Sequence, residues 1–504
     1  MSGGAGRFWG WTVVFEGKTP PPGKAVAPDE RLSWGRTAGL GAQHVVAMFG
    51  ATFVFPVVMG LNANLAIMMS GICTIIFLLI VNGKVPSYLG TSASFVSGVA
   101  AIYAQNGGPA DVTGAILVAG AVLALVGVAI HFSGTRFLHA LLPPVVTGAV
   151  VMLIGFNLAP VVANTYWPQD QWVALLTMTF VVLIAVGLRG FLGRIAVFLG
   201  LIFGYVLSWV FDQIFGQIHS FNPTAGKATT HWRVDLSGVS SAHWFGFPRH
   251  TVDGLHGNQT LLGHADLVGW HLPSFHVAFI LLVLPAVIAL VAENTGHVKA
   301  VAEMTNRNLD PLMGRAIAAD GVGTVIASSI GGSPTTTYAE NIGVMAATRV
   351  YSTAAYFVAA GVAILFGLCP KFGQLVEATP GGVLGGITVI LYGMIGLLGA
   401  KIWKENRVDF ANPVNLVPVA AGIIIAIGNT SLVFGKNFTL GGIALGTIVV
   451  LVAYHLARMV APDDLKQDEE ATMVAVGREG IHRGDESADP SATPPDRPTG
   501  SHRA

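Results

Sequence analysis

Long apolar runs separated by short polar breaks dominate the chain from residue 37 to residue 460. A helix that crosses a bilayer needs about 20 mostly apolar residues. The pattern therefore predicts fourteen membrane spans, numbered in chain order: 37–59, 62–82, 88–105, 112–132, 142–163, 171–188, 194–212, 274–304, 315–331, 338–350, 352–369, 381–400, 412–428 and 440–460. Spans 3, 9 and 10 are short and are interrupted by Gly, Pro, Ser or Thr.

Composition supports the same class of protein. Of the 504 residues, 53% are hydrophobic and 11% are charged, whereas a soluble globular protein has about 25% charged residues. The net charge is zero, so nothing suggests a basic face for nucleic acid. Cys73 and Cys369 form no CxxC pair, and their spacing indicates neither a disulfide framework nor a metal site. We therefore expect an all-α polytopic membrane protein.

Basic residues fix the predicted orientation, because short cytoplasmic loops carry an excess of Lys and Arg. With a cytoplasmic N-terminus, eleven basic residues lie at inside loops and two lie at short outside loops. The inside set is Lys84, Arg136, Arg189, Arg194, Lys299, Arg307, Arg315, Arg349, Lys401, Lys404 and Arg407, and the outside pair is Lys371 and Lys436. Both termini are then cytoplasmic in a multi-pass protein of the cell inner (plasma) membrane.

Three polar segments flank or interrupt the spans. Residues 1–35 are Gly/Pro-rich, have no apolar stretch near Met1 typical of a signal peptide, and are predicted to form a cytoplasmic N-terminal segment. Residues 213–273 form an extracytoplasmic His-rich loop; a metal site there is the alternative to a polar cover for the outer surface, although no HxH or HxxxH cluster supports it. Residues 461–504 lack apolar content and are predicted to be a disordered cytoplasmic tail.

Fourteen spans divide into seven plus seven, and an odd repeat inverts the second half relative to the first. Many secondary transporters are built this way, with a substrate site between broken helices near the midplane. The third span of each half carries such a break, in "VPSYLGTSASFVSG" (85–98) and "GGSPTTTYAENIG" (331–343). Non-helical backbone at membrane depth needs burial in protein or a cavity, so we expect the two short extended segments to meet. The alternative is a pair of surface loops at helix ends.

Ionisable residues inside predicted spans are costly and are functional candidates by default. Glu293 and His297, in "VAENTGHV", lie one helical turn apart, so they share a face and suit proton handling. Glu340 follows the Pro/Thr break, where a helix start stabilises an anion. The backbone N–H groups of Tyr338, Ala339 and Glu340 could also donate to a ligand there. A static ion pair and a simple N-cap are the structural alternatives.

Gln43 and His44 are unusual residues in the apolar first span, in the stretch "GAQHVVAMFGA" (41–51). A histidine in the core, hydrogen-bonded to another helix, is favoured over a direct ligand, and Asn341 is a suitable partner for either residue. We include Ala51 among the substrate-binding candidates and Ser92 among the residues that support the site.

These motifs resemble the nucleobase–ascorbate transporter family, also called nucleobase:cation symporter-2, over about residues 30–460. The resemblance rests on "LGAQHVVAMFGAT", "VPSYLGTSASFVSG", "AENTGH" and "GGSPTTTYAENIGVMAATRVYS". The family pattern of a polar residue, Asn, Gly, Thr and a basic residue occurs as Glu340, Asn341, Gly343, Thr348 and Arg349. Within the family, the chain is most similar to bacterial uracil and pyrimidine permeases.

The resemblance implies a proton-coupled carrier that is not an enzyme, with the proton as coupling ion and no cofactor, and a homodimer in the bilayer. A core domain (36–132 and 274–369) would move against a gate domain (142–212 and 381–460). Glu293 and Glu340 would hold the base, with backbone from Ala339, Glu340 and the span-3 position Ala93. His297 would take part in proton coupling, while Gln43 and His44 would brace Asn341. The chain departs from uracil permeases at Ala93, where Phe is typical, at Ala339, where Gly is usual, and at Asn294, where His is frequent.

Two carboxylates and helix-end amides match the alternating donors and acceptors of uracil, whose two N–H groups flank a carbonyl. The sequence therefore predicts a symporter that imports uracil or a related pyrimidine by alternating access. A xanthine or purine carrier of the same family is the alternative, as is an anion carrier of the same architecture. A membrane-embedded enzyme or a channel has less support, because the chain has no HExxH, no paired Asp motif and no filter-like ring.

Overall fold

A computed structural model describes residues 10–21, 23–134, 142–189, 191–222, 227–248, 269–434, 438–463 and 465, and within them the chain is mostly helical. The main helices are α1 Trp34–Val58, α2 Ala63–Ile80, α3 Val96–Ala104, α4 Pro109–Ser133, α5 Pro144–Asn157, α6 Gln171–Gly187, α7 Ala196–Phe215, α8 Pro285–Thr305, α9 Met313–Ser328, α10 Ala339–Thr348, α11 Thr353–Gly367, α12 Gly381–Glu405, α13 Pro413–Ile427 and α14 Gly442–Val460.

Shorter elements connect these helices. Eight strands form four two-stranded sheets: β1 Thr12–Val13 with β2 Glu30–Arg31, β3 Leu89–Thr91 with β6 Thr335–Thr337, β4 Ile218–Asn222 with β5 Lys227–His231, and β7 Ser431–Phe434 with β8 Phe438–Gly441. Short helical turns lie at Phe15–Gly17, Ala93–Phe95, Ala159–Val161, Val162–Tyr166, Trp167–Gln169, Phe191–Arg194, Ser237–Ser241, Val277–Val283, Asp310–Leu312 and Pro370–Glu377.

Each of the fourteen predicted spans overlaps one main helix. Eight helical segments in the described part of the chain are long and apolar enough to cross a membrane, and they contain α1, α2, α4, α5, α7, α8, α12 and α14. A ninth arises if α11 and the helix that begins at Pro370, which meet at 86°, form one bent span. The multi-pass class is therefore established, while the full count of fourteen stays a prediction.

The helices pack in two sets. In the first set, α4 packs on α9, and α2 and α1 pack on α11. In the second set, α12 packs on α5 and α6, and α13 packs on α14. Helix α8 contacts α4, α9 and α10 of the first set and α5 of the second, so it lies where the two sets meet.

Glycines allow α4 and α9 to approach closely. A Cβ built on Gly127 of α4 would lie 2.2 Å from the backbone nitrogen of Ala318, and one on Gly321 of α9 would lie 2.3 Å from that of Ala124. In a bilayer the hydrophobic effect does not drive helices together, because lipid tails are as apolar as the side chains. Small residues at helix contacts therefore allow the close van der Waals packing that stabilises helix pairs. The first helix set therefore depends on backbone-to-backbone contact.

The N-terminal segment packs against the ends of α8, α10 and α11. The Val26 N–H donates to the Arg349 carbonyl at 2.9 Å, and the Trp11 indole N–H donates to the Thr353 hydroxyl at 2.9 Å. Asp29 forms an ion pair with Arg307 at 2.9 Å. Partial burial opposes ionisation of Asp29, but its hydrogen bonds, led by that from Arg307, outweigh it, so the pKa of this carboxyl lies below its usual value.

Parts of the sequence-based predictions fall outside the described residues. These are residues 1–9 and 22 of the N-terminal segment, the basic residues Arg136 and Lys436, residues 223–226 and 249–268 of the outer loop with His250, His256 and His264, and nearly all of the predicted tail 461–504. Among the residues that the structure does describe, no group of three or more His, Cys, Asp or Glu side chains could hold a metal ion.

We expect Gly127→Ala to destabilise the protein by about 1–3 kcal/mol, because the new methyl group meets backbone of α9. Gly361→Ala is the matched control on α11, where a Cβ meets nothing within 4 Å. There the better helix propensity of Ala should be neutral or stabilising by up to about 1 kcal/mol. Thermal unfolding of the purified variants in detergent measures both, and equal midpoints would contradict close α4–α9 contact.

Candidate functional site

The two broken spans meet through their backbones. Strands β3 and β6 pair antiparallel, with Leu89 opposite Thr337 and Thr91 opposite Thr335, and all six residues are buried. The pairing continues at both ends, because the Ser92 N–H donates to the Pro334 carbonyl and the Tyr338 N–H donates to the Tyr88 carbonyl. The backbone N–H and C=O groups of the two non-helical segments thus form hydrogen bonds with each other inside the membrane.

Tyr338 ties the two breaks together rather than facing a ligand. Its ring is 5% exposed, and its hydroxyl donates to the Thr91 carbonyl at 2.7 Å. A Cβ on Gly90 would lie 2.4 Å from that ring, so only Gly fits between the strand and the tyrosine. Because the Tyr338 N–H also bonds to Tyr88, it is not free to donate to a ligand in this conformation, contrary to the expectation from the sequence.

Helix α10 starts immediately after this strand and places Glu340 in its first turn. The Ile342 N–H is the first to donate within the helix, to the Tyr338 carbonyl, so the N–H groups of Ala339, Glu340 and Asn341 have no acceptor in the helix itself. Ala339 is exposed whereas residues 331–338 are all buried, and Glu340 is half-buried. The helix start therefore presents backbone donors and a carboxylate to open space.

Three acidic side chains converge beside this helix start. Glu293 on α8 is half-buried and interacts electrostatically with Glu340 on α10 and with Asp320 on α9. Asp320 is fully buried, and its Oδ2 accepts the Thr337 N–H at 3.3 Å. Like charges this close in a poorly solvated region repel one another strongly. The cluster is thus suited to bind a proton or hydrogen-bond donors.

Hydrogen bonds fix the tautomer of His297. Its Nδ1 lies 2.7 Å from the Thr337 hydroxyl, and that hydroxyl donates to the Asn294 Oδ1 at 2.6 Å. A hydroxyl has one proton to donate, so Nδ1 of His297 must be the donor. The NH2 group of Asn294 lies beside Asp320. An ionised carboxylate can only accept hydrogen bonds, so Asn294 turns its NH2 group to Asp320 and its Oδ1 to Thr337. Nε2 of a neutral His297 is then the nitrogen able to take a proton.

His297 therefore pairs with Thr337, not with Glu293 one turn away on α8. No ion pair joins His297 and Glu293 among the described residues. The expected carboxylate–imidazole pair is absent from the described structure, and hydrogen bonds instead lead from His297 through Thr337 and Asn294 to Asp320 of α9. Glu293 and His297 therefore have different partners.

His44 braces Asn341 across the first helix set. The Asn341 amide donates to the His44 carbonyl at 2.9 Å and lies 3.2 Å from its ring Nδ1. The His44 ring is 1% exposed and packs 4.3 Å from the Tyr356 ring. Gln43 is half-buried, and no hydrogen bond from it to Asn341 occurs in the described structure. His44 is thus a buried residue that supports Asn341.

The remaining candidates lie around the same strand. Ala93 begins the helical turn Ala93–Phe95 and is partly accessible. Ser92 is fully buried, and its hydroxyl accepts the Ser94 N–H at 3.3 Å, so it caps that turn. Ala51 on α1 is 7% exposed and precedes Thr52, whose carbonyl accepts from the Thr91 hydroxyl at 3.4 Å.

Sequence reasoning missed Asp320, although the signal was present. Asp320 is a carboxylate inside the segment 315–331, which the hydropathy pattern itself predicts to span the membrane. Such a residue deserves the same treatment as Glu293 and Glu340. Its partner, the backbone of Thr337, could not be read from the sequence, because the contact depends on how α9 packs against the strand.

Comparison with known proteins identifies the family. Residues 35–435 match the Xan_ur_permease profile, described as a permease family. The chain is 44% identical over 429 residues to the "Putative pyrimidine permease RutG" of Escherichia coli K12, covering 84% of this chain and 89% of that protein. It is 33% identical over 461 residues to the uracil permease of Bacillus caldolyticus, covering 88% and 98%.

Solved structures show the same fold at low sequence identity. The transmembrane domain of the cyanobacterial bicarbonate transporter BicA has a TM-score of 0.53 and 14% identity, and the match covers 83% of this chain and 96% of that chain. The murine anion transporter Slc26a9 in its inward-facing state has a TM-score of 0.58 and 11% identity, with coverage of 86% and 70%.

The permease family match and the apolar helices identify a multi-pass membrane transporter. The permease relatives also support the prediction that the protein is not an enzyme. The chain belongs to the permease family that its motifs resemble, the nucleobase–ascorbate transporter family.

We expect Thr337→Val to lower the thermal unfolding midpoint more than Thr337→Ser. Valine keeps the shape but leaves His297 Nδ1 and Asn294 Oδ1 without their partner, and each buried unpaired group costs about 1–3 kcal/mol. Serine keeps the hydroxyl and loses only a methyl group. A Val variant as stable as the Ser variant would contradict the hydrogen-bonded chain.

Proposed function

We propose that this permease imports uracil or a closely related pyrimidine base together with protons. The observation that carries the proposal is the convergence of Glu293 and Glu340 beside the start of α10. The names of the relatives support the substrate class, since several are uracil or pyrimidine permeases at 32–44% identity.

The chemistry of uracil fits this arrangement. Its N1–H and N3–H donate to carboxylates, while its two carbonyls accept from backbone N–H groups such as those at Ala339 and Glu340. Hydrogen bonds to charged groups are about twice as strong as neutral ones. Cytosine has no N3–H and carries an amino group at position 4, so a site built for two N–H donors should reject it.

Proton coupling follows from the crowding of acidic groups. Glu293 is repelled by both Glu340 and Asp320 when all three are ionised. A proton taken up at Glu293 or at Nε2 of His297 relieves this repulsion and prepares the site for an uncharged base. An empty site that stays charged resists movement across the membrane, which links the proton flux to the base flux.

We extend the proposal to the transport cycle. Fourteen spans in two inverted halves would form a core domain (spans 1–4 and 8–11) and a gate domain (spans 5–7 and 12–14). Alternating access would then move the core against the gate, with α8 at the boundary. The division of the helices into two packing sets supports this arrangement. Cytoplasmic termini, the inner membrane and a homodimer through the gate domains complete the proposal.

Two other carriers remain candidates. A purine carrier of the same family would use the same carboxyls, and the small Ala93 leaves room for a larger base. An anion carrier is the second candidate, because the solved structures of similar fold are a bicarbonate transporter and an anion transporter. Acidic side chains at the site oppose an anionic substrate. Competition experiments distinguish the pyrimidine, purine and anion carriers. Uptake of labelled uracil is measured in the presence of unlabelled xanthine, sulfate or bicarbonate, and the compound that inhibits it identifies the substrate class.

We expect Glu340→Gln and Glu293→Ala each to weaken uracil binding by at least about tenfold, because each loses a charge-assisted hydrogen bond. Scintillation proximity with labelled uracil on purified protein measures the affinity. Glu303→Gln is the matched control, since Glu303 is an exposed carboxylate elsewhere on α8. Near-normal affinity in either site variant would defeat the assignment.

We expect His297→Gln to slow proton-driven uracil uptake into proteoliposomes and to flatten its pH dependence, while uracil affinity changes much less. The reason is that Nε2 of His297 takes a proton without contacting the base. Uptake is measured with and without an inward proton gradient. A variant with the normal rate and the normal pH profile would remove His297 from proton coupling.

A further inference from the structure

A segment of the predicted outer loop joins the two helix sets. We call residues 232–248 the outer strap. One end is held by Arg233, whose guanidinium bonds to Asp170 at 2.7 Å and to Asp212 at 3.1 Å. The side chains of Arg233, Asp170 and Asp212 are only 10%, 8% and 4% exposed. Sequence reasoning treated this loop as a polar cover and did not predict the anchor.

The carboxyl groups at this end belong to the second helix set. Asp170 caps the start of α6 by accepting from the N–H groups of Trp172 and Val173. Asp212 lies in the last turn of α7 and accepts the N–H groups of Arg233 and Val234 at 3.1 and 3.0 Å. Removing Arg233 would leave two buried carboxylates without their cation, which is strongly destabilising. This end of the strap is thus fixed to the predicted gate.

The other end of the strap rests on the helix Pro370–Glu377. The Lys371 ammonium donates to the carbonyls of Val239 at 2.9 Å and Ala242 at 3.3 Å, and lies 5.3 Å from the Trp244 ring. Two backbone bonds add to the contact, from Lys371 N–H to the His243 carbonyl and from Gly246 N–H to the Leu368 carbonyl. The strap atoms that accept hydrogen bonds from Lys371 are all neutral backbone carbonyls.

The helix Pro370–Glu377 belongs to the first helix set. It contacts α2 and α11, and the Asn64 amide of α2 donates to the Cys369 carbonyl at 3.2 Å. A Cβ on Gly373 would lie 2.3 Å from the Asn64 side chain, which shows how closely the two helices pack. The strap therefore bridges the predicted gate and the predicted core at the outer end of the bundle.

The opposite end of the same boundary is open. A cavity of about 150 Å³ lies between α8, α5 and α12, with Thr295, Lys299, Thr147 and Asn406 among its lining residues. Lys299 and Asn406 lie near the ends of their helices that the sequence predicts to face the cytoplasm. The structure thus combines a bridged outer end with an accessible inner end.

We propose that the outer strap holds the outer end of the core–gate boundary closed and detaches from the helix Pro370–Glu377 whenever that end opens. The proposal rests on the proposed alternating access. The strap stays with the gate, because Arg233 forms buried ion pairs there, whereas the bonds of Lys371 are to neutral carbonyls at a more exposed place. Lys371 is the residue that releases.

A reversible crosslink tests the release. A Cβ on Gly238 would lie 3.8 Å from Cγ of Gln374, so cysteines at the two positions come within reach of a disulfide. The variant Gly238→Cys/Gln374→Cys is made with Cys73→Ala and Cys369→Ser, so that no native thiol competes. Labelled uracil uptake into proteoliposomes is measured after reduction, after oxidation and after renewed reduction. The two single-cysteine variants are the controls.

We expect oxidation to lower uptake at least about tenfold in the double variant alone, with uracil affinity nearly unchanged and uptake restored by reduction. Oxidised protein that transports at the reduced rate would overturn the proposal. If the reduced double variant and its parent, the protein with Cys73→Ala and Cys369→Ser, take up no uracil, the proposed substrate is wrong and the strap needs a test that does not use transport.

That test is the rate at which an impermeant maleimide alkylates Gln374→Cys in the same parent. We expect Lys371→Gln to increase this rate, because the strap then detaches more readily. Equal rates with and without Lys371→Gln would overturn the proposal that Lys371 holds the strap.

Discussion

The pairing of two short strands inside the membrane is the constraint on which the rest of the site depends. A chain that leaves the helical state in the bilayer must find partners for its peptide groups. Strands β3 and β6 provide these partners for each other. Tyr338 adds two further hydrogen bonds between the two broken spans, one from its N–H and one from its hydroxyl. Only because β6 is held in this way can α10 begin at Ala339, within the protein, and present Glu340 beside the backbone N–H groups of the helix start.

Side chains from the neighbouring helices then organise around β6. Thr337 donates its N–H to Asp320 of α9 and its hydroxyl to Asn294 of α8, and it accepts from His297. One threonine thus links the strand to two helices and sets which nitrogen of His297 is free. Binding and proton uptake are expected to affect each other, because the residues proposed for both share this support.

The sequence predicts much of the architecture because its signals are local. Apolar runs locate all fourteen helices, and the Pro/Thr and Ser-rich breaks locate the two strands, since both depend on composition and spacing alone. Glu340 at a helix start follows from the same local reasoning. The partners of these residues are different, because His297 bonds to Thr337 at a separation of 40 residues and Arg233 bonds to Asp170 at a separation of 63. Such contacts depend on packing, which explains why Asp320 and the outer strap were missed.

The pyrimidine site can be examined in a structure of the protein with uracil bound. We expect the base between Ala93 and Ala339, with its N–H groups donating to the carboxylates of Glu293 and Glu340 and a carbonyl accepting from the start of α10. Uracil bound elsewhere, such as in the cavity lined by Thr147 and Lys299, with both carboxylates turned away from it, would rule this site out.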